Sequence, residues 1–204
     1  MRSMNPHVCI CCGRRLSEEA KAGYGSTLKI ICPVFVELDR DARGKVVIGR
    51  STRMACDLAI SIANEDPRNS IIITPGGCAS KEWDHAWAGG LMGNYIKART
   101  QTRVLRQMAN KFDTLSEISI VAYAVRHMSR REKCFSEIVL VEQSGRAPQT
   151  TSICRQLLNE LKLHHIPVSP RTYELPVGWR ALAREYFGAW PKNLIRVLLQ
   201  WAMN

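Results

Sequence analysis

The run Ser70-Ile71-Ile72-Ile73-Thr74, closed by Pro75-Gly76-Gly77, constrains the fold more than any other segment. It is apolar without alternation, so neither face of the extended chain is left for water. A strand of that kind belongs in a parallel sheet covered on both sides. Asp66-Pro67-Arg68-Asn69 precedes it and two glycines follow it, and such residues punctuate chains. Residues 137–141 read the same way. Residues 28–36, broken by Pro33, form a third β-rich run, and residues 45–49 and 103–108 form shorter ones. The surroundings of Ile166-Pro167-Val168 read as the last strand.

Helical spacing fills the intervals between these runs. Residues 52–64 place Ala55, Leu58, Ala59 and Ile62 on one face. Trp83, Trp87 and Leu91 recur at helical spacing. Residues 114–128 turn Ile118, Val121, Ala122, Val125 and Met128 inward, and residues 148–163 do the same with Ile153, Leu157, Leu158 and Leu161. Two further helices are expected at 179–187 and 191–202. This alternation of strand and helix predicts a three-layer, Rossmann-like α/β domain, its mainly parallel sheet flanked by helices on both faces. The domain is expected to span residues 28–204, behind a Cys-containing extension at 1–27.

A chain of 204 residues with 46% hydrophobic content can bury such a core unaided. No window approaches the length of a membrane span, and the first residues lack the apolar stretch of a signal peptide. A cytoplasmic protein is therefore expected, with its eight cysteines reduced. Cys32, Cys56, Cys78, Cys134 and Cys154 stand in apolar or helical contexts and read as small core residues. Cys9 and Cys12 have the spacing of half a zinc knuckle, with His7 and Cys11 nearby. A closed site needs four ligands and no second such pair exists, so no metal is assigned. The net charge of +11 attracts anions. Its residues are scattered with only short clusters, which reads as a solvated basic surface rather than a dedicated nucleic-acid stripe. His164 and His165 are expected to sit protonated at a helix end.

In open parallel sheets ligands bind beyond the carboxyl ends of the strands, near the switch point of the topology. Three loops end there. In residues 75–81, Gly76 and Gly77 could turn backbone donors toward an anion or simply serve a strand-ending turn. In residues 111–117, Thr114 and Glu117 have capping-box spacing, and the helix start they mark is also an anion site, with Asp113 beside it. In residues 142–150, Ser144 and Arg146 cluster after an apolar strand, and Arg146 can pair with phosphate or carboxylate in bidentate fashion.

Taken in order, these segments resemble the bacterial family typified by YdcF, SanA and ElyC. Arg53 with Met54-Ala55 is similar to that family's arginine-led helix, and residues 71–77 to its Gly-Gly strand. Asp113-Thr114-Leu115-Ser116-Glu117 resembles its Asn-Thr segment, with Asp in place of Asn. Residues 138–148 are similar to its later strand and loop, with Arg146 and Gln149 standing where the family has a His-and-Arg pair. Residues 183–188 resemble its ending. The resemblance covers roughly residues 28–187. It implies a small anionic, nucleotide-like ligand such as S-adenosylmethionine, contacted by Arg53, Gly76, Gly77, Asp113, Thr114, Glu117, Ser144 and Arg146. The alternative expectation is a non-enzymatic binder of nucleic acid or another acidic partner on a degenerate enzyme fold.

Overall fold

The computed structural model describes residues 28–109, 111, 113–130 and 134–174. The chain divides into two compact units, Met1–Tyr173 and Glu174–Asn204. The expected helices at 179–187 and 191–202, the segment 183–188 and the cysteines of residues 9–12 lie outside the described residues.

Five strands form one parallel sheet: β1 (Leu28–Pro33), β4 (Ser70–Gly76), β5 (Arg103–Met108), β6 (Phe135–Gln143) and β7 (Val168–Tyr173). Their spatial order is β5-β4-β1-β6-β7, and every neighbouring pair is parallel. Two short strands, β2 (Leu38–Arg40) and β3 (Val46–Ile48), make a separate antiparallel hairpin after β1. Among the described residues, four helices follow the sheet strands: α1 (Arg50–Glu65), α2 (Ala88–Lys97), α3 (Thr114–Ser129) and α4 (Ala147–Glu160).

The unbroken apolarity of Ile71, Ile72 and Ile73 has its explanation in the two faces they serve. All of β4 is buried. Ile71 and Ile73 join Ile30, Cys32, Val34, Ile138 and Leu140 in a core cluster completed by Ile118, Val121 and Val125 of α3 and by Cys154 and Leu158 of α4. Alternate residues such as Ile31 and Ile72 point to the opposite face, where α1 and α2 pack on the sheet and on each other. The helices of that second layer are lined with small residues: Ala55, Ala59 and Ala63 on α1, and Gly89, Gly90 and Gly93 on α2, all buried. The three-layer arrangement is therefore present.

Setting the hairpin aside, the sheet strands follow the order 3-2-1-4-5 of a doubly wound fold. β1, β4 and β5 build outward on one side. The chain then crosses back to place β6 on the other side of β1, so the switch point lies between β1 and β6.

Three local expectations are corrected. Trp83 and Trp87 do not share a helix with Leu91. A 3-10 turn at Lys81–Trp83 is stopped by left-handed Asp84 and His85, at φ 54° and 53°, and α2 starts only after Trp87. Cys78 is exposed rather than buried, because β4 has already ended and the chain alternates outward at Cys78 and inward at Ala79. His164 and His165 lie beyond α4, which ends at Glu160. The His165 pKa is lowered by burial and by the neighbouring His164, which disfavours the charged form.

Candidate functional site

Three segments meet at the carboxyl ends of β1 and β6. The first is the exit of β1. Val34 N–H still bonds the carbonyl of Val141, and the chain then turns sharply at Phe35, whose φ is +69°. A bulky aromatic residue in the left-handed region is a genuine outlier, and such strain persists where surrounding contacts hold it. Here two contacts hold it. The Phe35 N–H donates to Oε2 of Glu117 at 3.2 Å, and the Arg146 guanidinium lies over the Phe35 ring, 3.8 Å from its centroid.

The second segment is the start of α3. The cap is Asp113, one residue earlier than the capping-box spacing indicated: its carboxylate accepts from Ser116 N–H at 2.7 Å. This frees Thr114 to be the first helical residue and makes Glu117 the fourth, at the end of the first turn. Glu117 then lies on the stripe that carries Ile118 and Val121, only 3% exposed. It does not cap its own helix but reaches across to the β1 exit. Burial pushes its pKa up to about 7; the Phe35 N–H and Arg146 act the other way, and Asp113 adds to the rise.

The third segment is the exit of β6. Ile138, Leu140 and Glu142 alternate onto one face, so Glu142 continues a buried row and is 1% exposed. Its Oε1 has no hydrogen-bond partner among the described residues. Burial raises its pKa to about 7 as well, with Thr150 and Arg146 pulling the other way. A 3-10 turn, Ser144–Arg146, leads into α4. The positive charge of Arg146 reaches Glu117, Glu142 and the Tyr173 hydroxyl at the end of β7.

The start of α1 closes the other side. Tyr173 Oη and Ser51 Oγ are 2.9 Å apart. Glu37 is tied to this helix end by three short bonds: its carboxylate accepts from Ser51 N–H at 2.7 Å, its N–H donates to Thr52 Oγ1 at 2.6 Å, and its carbonyl accepts from Gly49 N–H at 2.7 Å. A carboxylate on the first amides of a helix acts as a cap. Glu37→Ala should therefore cost about 1 kcal/mol of stability, read from urea unfolding; no loss would show that this cap contributes nothing.

Of the residues singled out from sequence, Asp113, Glu117 and Arg146 converge on the switch point, with Thr114 next to Asp113 at the start of α3 and Ser144 in the same 3-10 turn as Arg146. Arg53 is exposed on the first turn of α1. Gly76 and Gly77 lie at the end of β4 and face a different task. A Cβ on Gly76 would stand 2.4 Å from the Gly89 backbone nitrogen. The Gly76 carbonyl accepts from Trp87 Nε1 at 2.9 Å and from Ala109 N–H at 3.2 Å, and the Gly77 carbonyl accepts from Ala88 N–H at 3.1 Å. These glycines let α2 close onto the sheet.

Sequence reasoning missed Phe35, Glu37, Ser51, Glu142 and Tyr173 as members of the site. Glu142 carried a readable signal, since it extends the alternation of Ile138 and Leu140. Phe35 carried none, because its importance comes from strand order. No protein family matches the chain, and neither does any curated protein or solved structure. The site must therefore be read from its own chemistry. It offers a cation whose charge acts on two buried carboxyls with pKa values pushed up to about 7 by burial, and such carboxyls can give or take a proton near neutral pH. Among the described residues, no group of three or more His, Cys, Asp or Glu side chains is placed to hold a metal ion. No described helix is long and apolar enough to cross a membrane.

Proposed function

We propose that this chain, a YdcF-like domain, binds a small anionic, nucleotide-like ligand such as S-adenosylmethionine or a nucleotide in the crevice between β1 and β6. The observation that carries the reading is the coincidence of the switch point with Arg146, whose charge reaches three ionisable groups contributed by α3, β6 and β7. Open α/β sheets bind ligands at that position. Arg146 would meet the ligand's anionic group, Phe35 would form the apolar wall, and Glu142 would meet a donor on the ligand.

A thermal-shift screen against S-adenosylmethionine and nucleotides tests this. A ligand present at a hundredfold its dissociation constant stabilises by about 2.7 kcal/mol. For a chain of this size that raises Tm by roughly 5–10 °C. Arg146→Ala should abolish the shift. A shift that survives this variant places the ligand elsewhere. Association with single-stranded nucleic acid that weakens steeply with salt, with no small-ligand shift, would favour the acidic-partner reading instead.

A further inference from the structure

The two edges of the sheet are built differently. On β7, Pro170 stands in mid-strand, paired with Leu140 on its inner side. It has no N–H to offer outward and is followed by Arg171, which is how natural sheets blunt an edge. On β5 there is no proline and no bulge: six consecutive residues, Arg103 to Met108, pair regularly with β4, and no described strand lies on the other side. The large apolar side chains that the described residues expose include Tyr123 and Leu115 on α3, 57% and 38% exposed, and Met108 at the end of β5, 54% exposed and alternating onto the opposite face of the sheet from Leu105. Between β5 and α3 runs a groove of about 390 Å³ with Leu105, Ile120, Ala124 and Met128 along its floor and Arg103, Gln107 and His127 at its rim.

We propose that this edge is where a second copy of the chain docks, the two β5 strands pairing antiparallel about a two-fold axis with Leu105 opposite Leu105. The pattern of β5 is self-complementary in that register. A two-fold axis normal to the sheet keeps each face on its own side, so only residues of equal parity can face each other. Centring on Leu105 sets Arg103 opposite Gln107 and Arg106 opposite Val104, and no cation faces a cation. Slipping the centre to Arg106 would set that residue against itself, which cross-strand pairing disfavours. Arg106 is in any case held on the opposite face from the groove, its Nη1 donating to Asn94 Oδ1 at 2.9 Å. In the centred register the two grooves join across the axis into one apolar layer flanked by both copies of Tyr123.

Sedimentation equilibrium of the full chain over a concentration series tests the proposal. A monomer–dimer equilibrium is expected. Tyr123→Lys should abolish it while leaving thermal unfolding of the monomer unchanged, because that side chain is exposed. The register has its own test. Gln107→Arg sets two arginine pairs face to face and should raise the dimer dissociation constant about tenfold, and adding Arg103→Glu in the same chain should restore it. Two outcomes overturn the proposal: a dimer indifferent to Gln107→Arg, or a monomer at every concentration, in which case protection from deuterium exchange of the β5 amides that do not bond β4 would show that another segment of the chain covers the edge.

Discussion

Gly76→Ala should lower the stability of this protein by about 3 kcal/mol, the upper range for forcing an extra carbon into a filled interior. The new Cβ would stand 2.4 Å from the Gly89 nitrogen and 3.0 Å from the Ala88 carbonyl carbon. Both atoms are backbone, so relief requires α2 to lift from the sheet. Gly89→Ala approaches the same contact from the helix side, where its Cβ would lie 2.8 Å from the Thr74 carbonyl oxygen and 2.9 Å from that of Gln107. The two substitutions share one interface, so the double variant should lose less than the sum of the singles, since α2 lifts only once. Gly44→Ala is the control: its φ of +76° is strained for alanine, but nothing lies within 4 Å. It should cost only about 1 kcal/mol. Urea unfolding of the four variants decides the matter. A Gly76→Ala loss no larger than that of Gly44→Ala would mean that α2 does not pack as described.

The second large effect is in pH. Glu117 and Glu142 both have pKa values raised from 4.5 to about 7 in the folded chain. A raised folded pKa means the native state binds the proton more tightly than the unfolded chain does. The resulting stability is fully present below the unfolded value and is lost as pH rises through about 7. A shift of that size corresponds to up to about 3 kcal/mol for each carboxyl. The unfolding free energy should therefore fall as the pH rises from 4.5 to about 7, the window that these two shifts define, and level off above it. Glu117→Gln and Glu142→Gln should each flatten the profile and be more stable than the parent at the alkaline end. His165, with its lowered pKa, acts oppositely: its contribution is present above about 6.5 and is lost on acidification. Comparing parent with Gln variants cancels that contribution. Parallel profiles for parent and double Gln variant would show that neither carboxyl is held in the protonated form.

The strands and layers were legible because buried parallel strands write themselves as unbroken apolar runs, and Ile71-Ile72-Ile73 is such a run. Strand order was not legible. Nothing in residues 28–36 says that β4 will lie on one side of β1 and β6 on the other, yet that order is what sets Phe35 against both Glu117 and Arg146. Glu117 was legible as a residue of interest and misread as to partner. The spacing from Thr114 suggests a cap, but the inward turn of Ile118 and Val121 carries Glu117 with it. Gly76-Gly77 shows the reverse case. Two glycines at a strand end are compatible with an anion cradle or with close packing of a helix, and only the position of Gly89 distinguishes the two.

One feature of the β1 exit bears on which ligands the proposed crevice would admit. In sheets of this order, the first helix after β1 usually offers its unpaired amides to a phosphate. Here the chain has filled that berth itself, with the Glu37 carboxylate on Ser51 N–H. A diphosphate arriving at this helix would meet a resident negative charge tethered a few residues away and would have to evict it. The competition is one-sided, because a tethered group has a far higher local concentration than a free metabolite. Under the proposed function, selection would fall on molecules that present their acid group to the Arg146 side of the crevice and leave the α1 terminus occupied.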